Sequence, residues 1–198
     1  MDLSFVKIEP LMITDIFTHL NAEELLAGLD HIRRSPRDEG VLELIVRRQA
    51  INEREVVEQA ELDLIQGMIG DTWNRRRTTS TADGSPNMEM QITVMNSRVA
   101  ALVAREKERW QFAGDQFYID MDLSAENLPA GARLAVGSAV IEVTVPPHLG
   151  CRKFVARFGV EAMKFVNSPV GKDLRLRGIH ARVIQPGFIR TGNVARKI

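Results

Sequence analysis

Hydrophobic and polar positions alternate in several separate stretches of this chain. Phe117 to Leu123 is the clearest: Phe117, Ile119, Met121 and Leu123 are interleaved with Tyr118, Asp120 and Asp122. A period of two predicts a strand with one core face and one polar face. Leu134 to Val145 repeats the pattern through Ala139, Ile141, Val143 and Val145, and Gly137 within it predicts a bulge or sharp bend. Pro146-Pro147 then predicts an abrupt stop, because proline has no N–H to give to a ladder. Val41 to Val46 predicts a strand with Leu42, Leu44 and Val46 on one face. Gln91 to Met95 predicts a short buried strand, and Gly178 to Ile184 another through Ile179, Ala181 and Val183. Pro186-Gly187 and Thr191-Gly192-Asn193 mark tight turns around two short final strands.

Helical periodicity appears between these stretches. Residues 18–34 predict a helix that opens with Asn21 as N-cap and Glu24 three residues on, a capping box, with Leu20 and Leu25 placed as a hydrophobic staple. Leu25, Leu26, Leu29 and Ile32 give it one apolar face for packing against the main body, and Ser35-Pro36 ends it. Asn96 or Ser97 can cap a second helix carrying Val99, Leu102, Val103 and Trp110 inward. Cys151 to Phe158 and Val160 to Asn167 read as helical, interrupted by Gly159, with Phe154, Val155, Phe158, Met163 and Phe165 as anchors. Glu53 to Ile65 is charged and reads as irregular or partly helical. Gly67 to Trp73 is turn-rich, and RRRTTSTADG (75–84) reads as a long polar loop. Short strands with turn signals and inserted helices predict a mainly β fold, a curved sheet or β-barrel, rather than strand–helix alternation.

Composition narrows the function classes. The chain has 198 residues, 44% of them hydrophobic, which suits one domain of ordinary size. Basic and acidic residues balance at 26 each, so no global positive field recruits nucleic acid or an anionic membrane surface. One cysteine cannot form an internal disulfide. The N-terminus lacks a basic segment followed by an unbroken apolar run, and no stretch is long and apolar enough to span a bilayer. The expectation is a cytoplasmic protein.

Candidate chemistry gathers around that cysteine. Cys151 follows the Pro-Pro loop at a predicted helix start, with His148, Arg152 and Lys153 nearby in sequence. A helix dipole and neighbouring positive charge favour the thiolate, the form that binds soft metals, attacks electrophiles or carries a persulfide. The plainer alternative is core filling, since free cysteine is often buried. Cys151 and His148 are the catalytic candidates. His180, opposite to Ile179 and Ala181, is a remote candidate base, and a zinc site of His148, Cys151 and His180 is a thin signal. Basic residues crowd the following region: Lys153, Arg157, Arg175, Arg177 and Arg182 are the candidates for an anionic ligand. Arg175 and Arg177, two apart, would share one face of an extended segment as a fork for phosphate or carboxylate. Arg75-Arg76-Arg77 reads as a solvated run or a further anion contact.

Several ordered pieces resemble the MOSC domain, the family named for the C-terminal region of molybdenum cofactor sulfurases. They are LELIVRR (42–48), GMIGDTW (67–73), QITVMNSRV (91–99), DLSAENLPAGARLAVGSAVIEVT (122–144), PPHLGCRKFVARFG (146–159) and RGIHARVIQPGFIRTGNVAR (177–196). The resemblance divides the chain into an N-terminal helical extension, 1–39, and a MOSC-like domain, 40–198. It implies a barrel-like, mostly β fold. It matches Cys151 to the family's key cysteine, the protein ligand of molybdenum in members that hold molybdenum cofactor. With that cofactor as the ligand, the candidate contacts are Cys151 together with the basic residues Lys153, Arg157, Arg175, Arg177 and Arg182, with arginines such as Arg177 and Arg182 on the phosphate or pterin. Two roles follow: an oxidoreductase acting on N-hydroxylated or related small molecules, with a separate redox partner, or a sulfur carrier whose Cys151 persulfide comes from a separate pyridoxal-phosphate-dependent cysteine desulfurase. A non-catalytic binding module is the third. The His-Gly-Gly-Pro stretch of many stand-alone members stands here as DGSPN (83–87), so contacts from that stretch do not carry over.

Overall fold

The alternating stretches become the wall of a closed barrel in the computed structural model, which describes residues 19–75 and 81–198. The strands are β1 (Glu39–Arg47), β2 (Glu55–Val57), β3 (Gln59–Asp63), β4 (Gly67–Met68), β5 (Ile92–Asn96), β6 (Phe117–Asp120), β7 (Arg133–Val136), β8 (Ala139–Pro147), β9 (Ile179–Gln185), β10 (Gly187–Arg190) and β11 (Val194–Lys197). The order β11-β7-β8-β9-β5-β6-β1 closes on itself through β1 and β11, which removes the free edges of the sheet. β5 and β6 run parallel, and the other barrel pairs are antiparallel. A parallel pair needs a crossover; here it is made by α3 (Ser97–Ala104) and a 3-10 helix (Lys107–Ala113). A second, three-stranded sheet, β10-β3-β4, packs against β8 and β9 of the barrel.

Two apolar clusters hold this together. One fills the barrel and includes Leu42, Ile45, Val94, Phe117, Ile141 and Ala181. The other lies under the helices, where Leu44, Val46, Met95 and Tyr118 meet α1 (Ala22–Ala27), α2 (Leu29–Arg33), α3 and α4 (Arg152–Asn167). A short α5 (Pro169–Asp173) follows α4. The capping box of Asn21 and Glu24 forms as expected. Leu25, Leu29 and Ile32 are buried, but Leu26 is exposed, and the predicted helix breaks at Gly28 into α1 and α2. Within the described residues no helix is long and apolar enough to cross a membrane.

Four expectations need correction. Glu53 to Ile65 forms β2 and β3, because its charged residues sit on outward positions while Ala60 and Leu62 turn inward. The apolar residues of β1 do not share one face. A register shift between Leu42 and Leu44 sends Leu42 and Ile45 into the barrel and Leu44 and Val46 toward the helices. Tyr118 is not on a polar face: it is buried under the crossover, and its hydroxyl donates to Trp110 O at 2.5 Å. Pro146-Pro147 does not stop its strand; β8 continues to Pro147, paired with Ile179. Gly137, with φ +58, makes the turn between β7 and β8. The kink at Gly159 divides α4 as expected. Residues 1–18 of the expected N-terminal extension, and Arg76 and Arg77 of the arginine run, lie outside the described residues.

Candidate functional site

A chain of buried charges is built from residues just beyond the strand ends. Arg48 follows β1. Its Nε and Nη2 donate to the two carboxylate oxygens of Asp71, each at 2.8 Å. Asp71 also accepts from the backbone N–H groups of Arg48 and Trp73. Burial raises the Asp71 carboxyl, but the paired guanidinium and these donors outweigh it and hold it below the ordinary carboxylate range. Next along, Asp115 precedes β6. It accepts from Arg177 Nη1 at 2.6 Å, while Arg177 Nη2 donates to Ala113 O at 2.9 Å. Burial pushes the Asp115 carboxyl up, and Arg177 pulls it back. The Arg177 guanidinium also lies 5.2 Å from the centre of the Phe154 ring.

Two histidines complete the chain. His148 Nδ1 stands 3.3 Å from Asp115 Oδ1, within ion-pair range but without the alignment of a hydrogen bond. Its ring meets His180 edge-on, with centroids 4.5 Å apart. Burial, with Arg177, His180 and Arg48 close by, lowers His148 well below its ordinary value. Burial, with Arg177 and Arg48, lowers His180 to about 4. Both rings are therefore neutral near pH 7.

Two cavities flank these residues. One, of about 630 Å³, is lined among others by Gln49, Asn52, Arg54, Thr72, Arg75 and Lys153. Arg54 Nη1 donates to Glu53 O at 2.6 Å, and among the described residues its buried Nε has no hydrogen-bond partner. Burial, then the nearby Arg157 and Arg48, lowers the Arg54 guanidinium from its ordinary value. Arg54 Nη2 and Arg157 Nη1 approach the Cβ position of Gly114 to 3.8 and 3.9 Å, which glycine leaves open. The other cavity, of about 330 Å³, has Pro146, Leu149, Val166, Lys172, Arg175 and His180 among its lining residues. No residue lines both.

Cys151 is exposed and free, at the N-cap of α4, where its side chain makes no capping hydrogen bond. It is not core filling, and it lines neither cavity. The preceding residue is pinned by Asn167, whose side chain accepts from Gly150 N at 2.9 Å and donates to Gly150 O at 3.2 Å. Lys153 lies two residues on, at the Arg54 cavity.

The other expected site residues scatter. Arg157 is half-buried and donates to Phe112 O at 2.6 Å. Arg175 and Arg177 do not lie on an extended segment: Arg175 has φ +48 in a turn, and β9 begins only at Ile179. Arg175 donates to Leu128 O and Arg177 to Asp115, so the expected fork does not form. Arg182 pairs with Glu142 on the outside of the barrel. His180 packs edge-on against His148, and neither of its ring nitrogens hydrogen-bonds to Cys151. Among the described residues no group of three or more His, Cys, Asp or Glu side chains is arranged to hold a metal, which removes the His148–Cys151–His180 zinc arrangement. Arg48, Arg54, Asp71 and Asp115 were not foreseen. The available signal was position: each is charged and adjoins a strand end or a glycine turn.

Known proteins place this architecture. The YUAD protein from Bacillus subtilis is similar in structure, with a TM-score of 0.56 and 16% identity over 79% of this chain and 94% of that one. YiiM from Escherichia coli is similar at a TM-score of 0.50 and 17% identity, over 80% of this chain and 69% of that one. At these identities the likeness shows the fold alone. No curated protein matches significantly in sequence. The model of the MOSC domain matches residues 86–196, more than half of the sequence. The chain belongs to the MOSC domain family.

Proposed function

We propose that this MOSC protein binds the molybdenum cofactor, a phosphorylated pterin carrying molybdenum, with Cys151 as the metal's protein ligand and the Arg54 cavity as the seat of the phosphate. The observation that carries the reading is unpaired positive charge. Arg54, Arg75 and Lys153 line a cavity that contains no acidic side chain, and none of the three pairs with a described carboxylate. Arg157 stands beside Arg54. Like charges held this close are stabilised by an anion. The residues present fit the group in kind: a free exposed thiol for a soft metal, and guanidinium and ammonium groups for a phosphate. Arg177 and Arg182 are already committed to Asp115 and Glu142, so the proposal passes their expected role to Arg54, Arg75 and Lys153.

When bound, the group supplies redox chemistry at the metal, suited to reducing small N-hydroxylated molecules. The chain's own residues would orient it: Asn167 fixes Gly150 and hence the backbone leading to Cys151, and Arg54, Arg75 and Lys153 would hold its phosphate. Exposure of Cys151 also favours a second reading, a persulfide carrier loaded by a pyridoxal-phosphate-dependent cysteine desulfurase. Pterin fluorescence tests the cavity. Protein from a cofactor-competent host retains oxidised pterin after gel filtration, and an Arg54→Ala/Lys153→Ala variant loses most of it. Equal retention by the variant removes the cavity from the proposal.

A further inference from the structure

We propose that the smaller cavity binds a small organic carboxylate that also carries a hydroxyl group. The inference does not depend on the cofactor, because that cavity shares no lining residue with the Arg54 cavity.

The cavity exists because β8 bulges. β8 pairs with β9 at Val143↔Ala181 and again at Pro147↔Ile179. Three β8 residues, Thr144, Val145 and Pro146, thus stand against one β9 residue, His180. Pro146 and Pro147 cannot donate backbone hydrogen bonds, so the ladder opens here instead of closing over His180. The space is about 330 Å³, at the lower end of ordinary ligand pockets of roughly 300–1,000 Å³.

Its chemistry is one-sided. His180 is only 4% exposed, and among the described residues neither ring nitrogen has a hydrogen-bond partner. Buried polar groups are nearly always paired, and leaving one unpaired costs free energy. A neutral imidazole carries one donor and one acceptor on nitrogens that point apart, so a hydroxyl can answer whichever one faces the cavity, as acceptor or as donor. The two charged side chains of the lining, Lys172 and Arg175, are both cationic. Neither pairs with a carboxylate among the described residues, and Arg175 Nη1 is satisfied by Leu128 O at 2.6 Å. Burial lowers the Arg175 guanidinium from its ordinary value, the expected consequence of a half-buried cation with no counter-charge. Pro146, Leu149, Val166 and Ile179 supply apolar wall for a hydrocarbon body. A guanidinium accepts either anion, but the apolar walls favour a singly charged carboxylate with a hydrocarbon body over a strongly hydrated phosphate.

Calorimetric titration of the full chain with mandelate and with lactate tests this. At least one should bind saturably at one molecule per chain. Mandelamide, which lacks the charge, and phenylacetate, which lacks the hydroxyl, should bind more weakly than mandelate. Lys172→Ala and Arg175→Met should each weaken binding by roughly tenfold or more, as loss of a charge-assisted hydrogen bond implies. Lys172 is exposed, so its substitution tests the site without risk to the fold. The proposal is overturned if neither hydroxy acid binds, if mandelamide binds as well as mandelate, if Lys172→Ala leaves the affinity unchanged, or if inorganic phosphate binds in preference to both acids.

Discussion

His180 is enclosed in β9 with both ring nitrogens unpartnered, and burial holds it at about 4. The unfolded chain takes up a proton near 6.5, so the folded form binds it less tightly. The neutral ring's contribution is therefore full above about pH 6.5 and is lost as pH falls toward 4, a swing on the order of 3 kcal/mol. Urea titrations should show the wild type losing more stability between pH 7 and pH 5 than a His180→Gln variant, which cannot titrate; parallel losses would contradict this environment for the ring. Little of this cluster was legible from the chain. His148 and His180 were visible as candidates, but Asp115 and Asp71 acquire meaning only through partners far away in sequence, 62 residues for Arg177 and 23 for Arg48. Cys151 was legible because it is alone, and its position at a helix start was read from Pro-Pro before it and the apolar spacing after it.

Strands and helices were legible where a local pattern had one cause. β9 and the kinked α4 follow period and glycine placement, whereas the period of β6 marks the strand but not its second buried face, which Tyr118 fills. The misread elements had two causes at once. β1 faces core on both sides, so its apolar run hides a bulge, and β2 and β3 lie at the margin of the barrel, where charge outweighs alternation. The turn into β9 shows how tightly an element end is fitted to the site. Gly178 has φ +107, and a Cβ there would stand 2.2 Å from Val94 O. Backbone strain and overlap act together, so Gly178→Ala should cost on the order of 3 kcal/mol or more. Thermal unfolding measures it. A variant as stable as the wild type would mean that the turn between Arg177 and His180 is not held against β5 as described.

At the level of the whole molecule, the chain closes a seven-strand barrel by pairing its last strand with its first, and a crossover between β5 and β6 lays helices over one side. That closure was legible only in class, because repeated short strands and turns announce a curved sheet without saying which strands meet. Barrel and helices together leave Cys151 exposed at the start of α4, with Lys153 leading to a cavity whose cations pair with no carboxylate among the described residues. Counting molybdenum atoms per chain by plasma mass spectrometry, in wild type and Cys151→Ser purified from a cofactor-competent host, tests the cofactor proposal most directly. Near one atom per chain in the wild type and little in the variant is the predicted result; a metal-free wild type, or equal loading in Cys151→Ser, would contradict it.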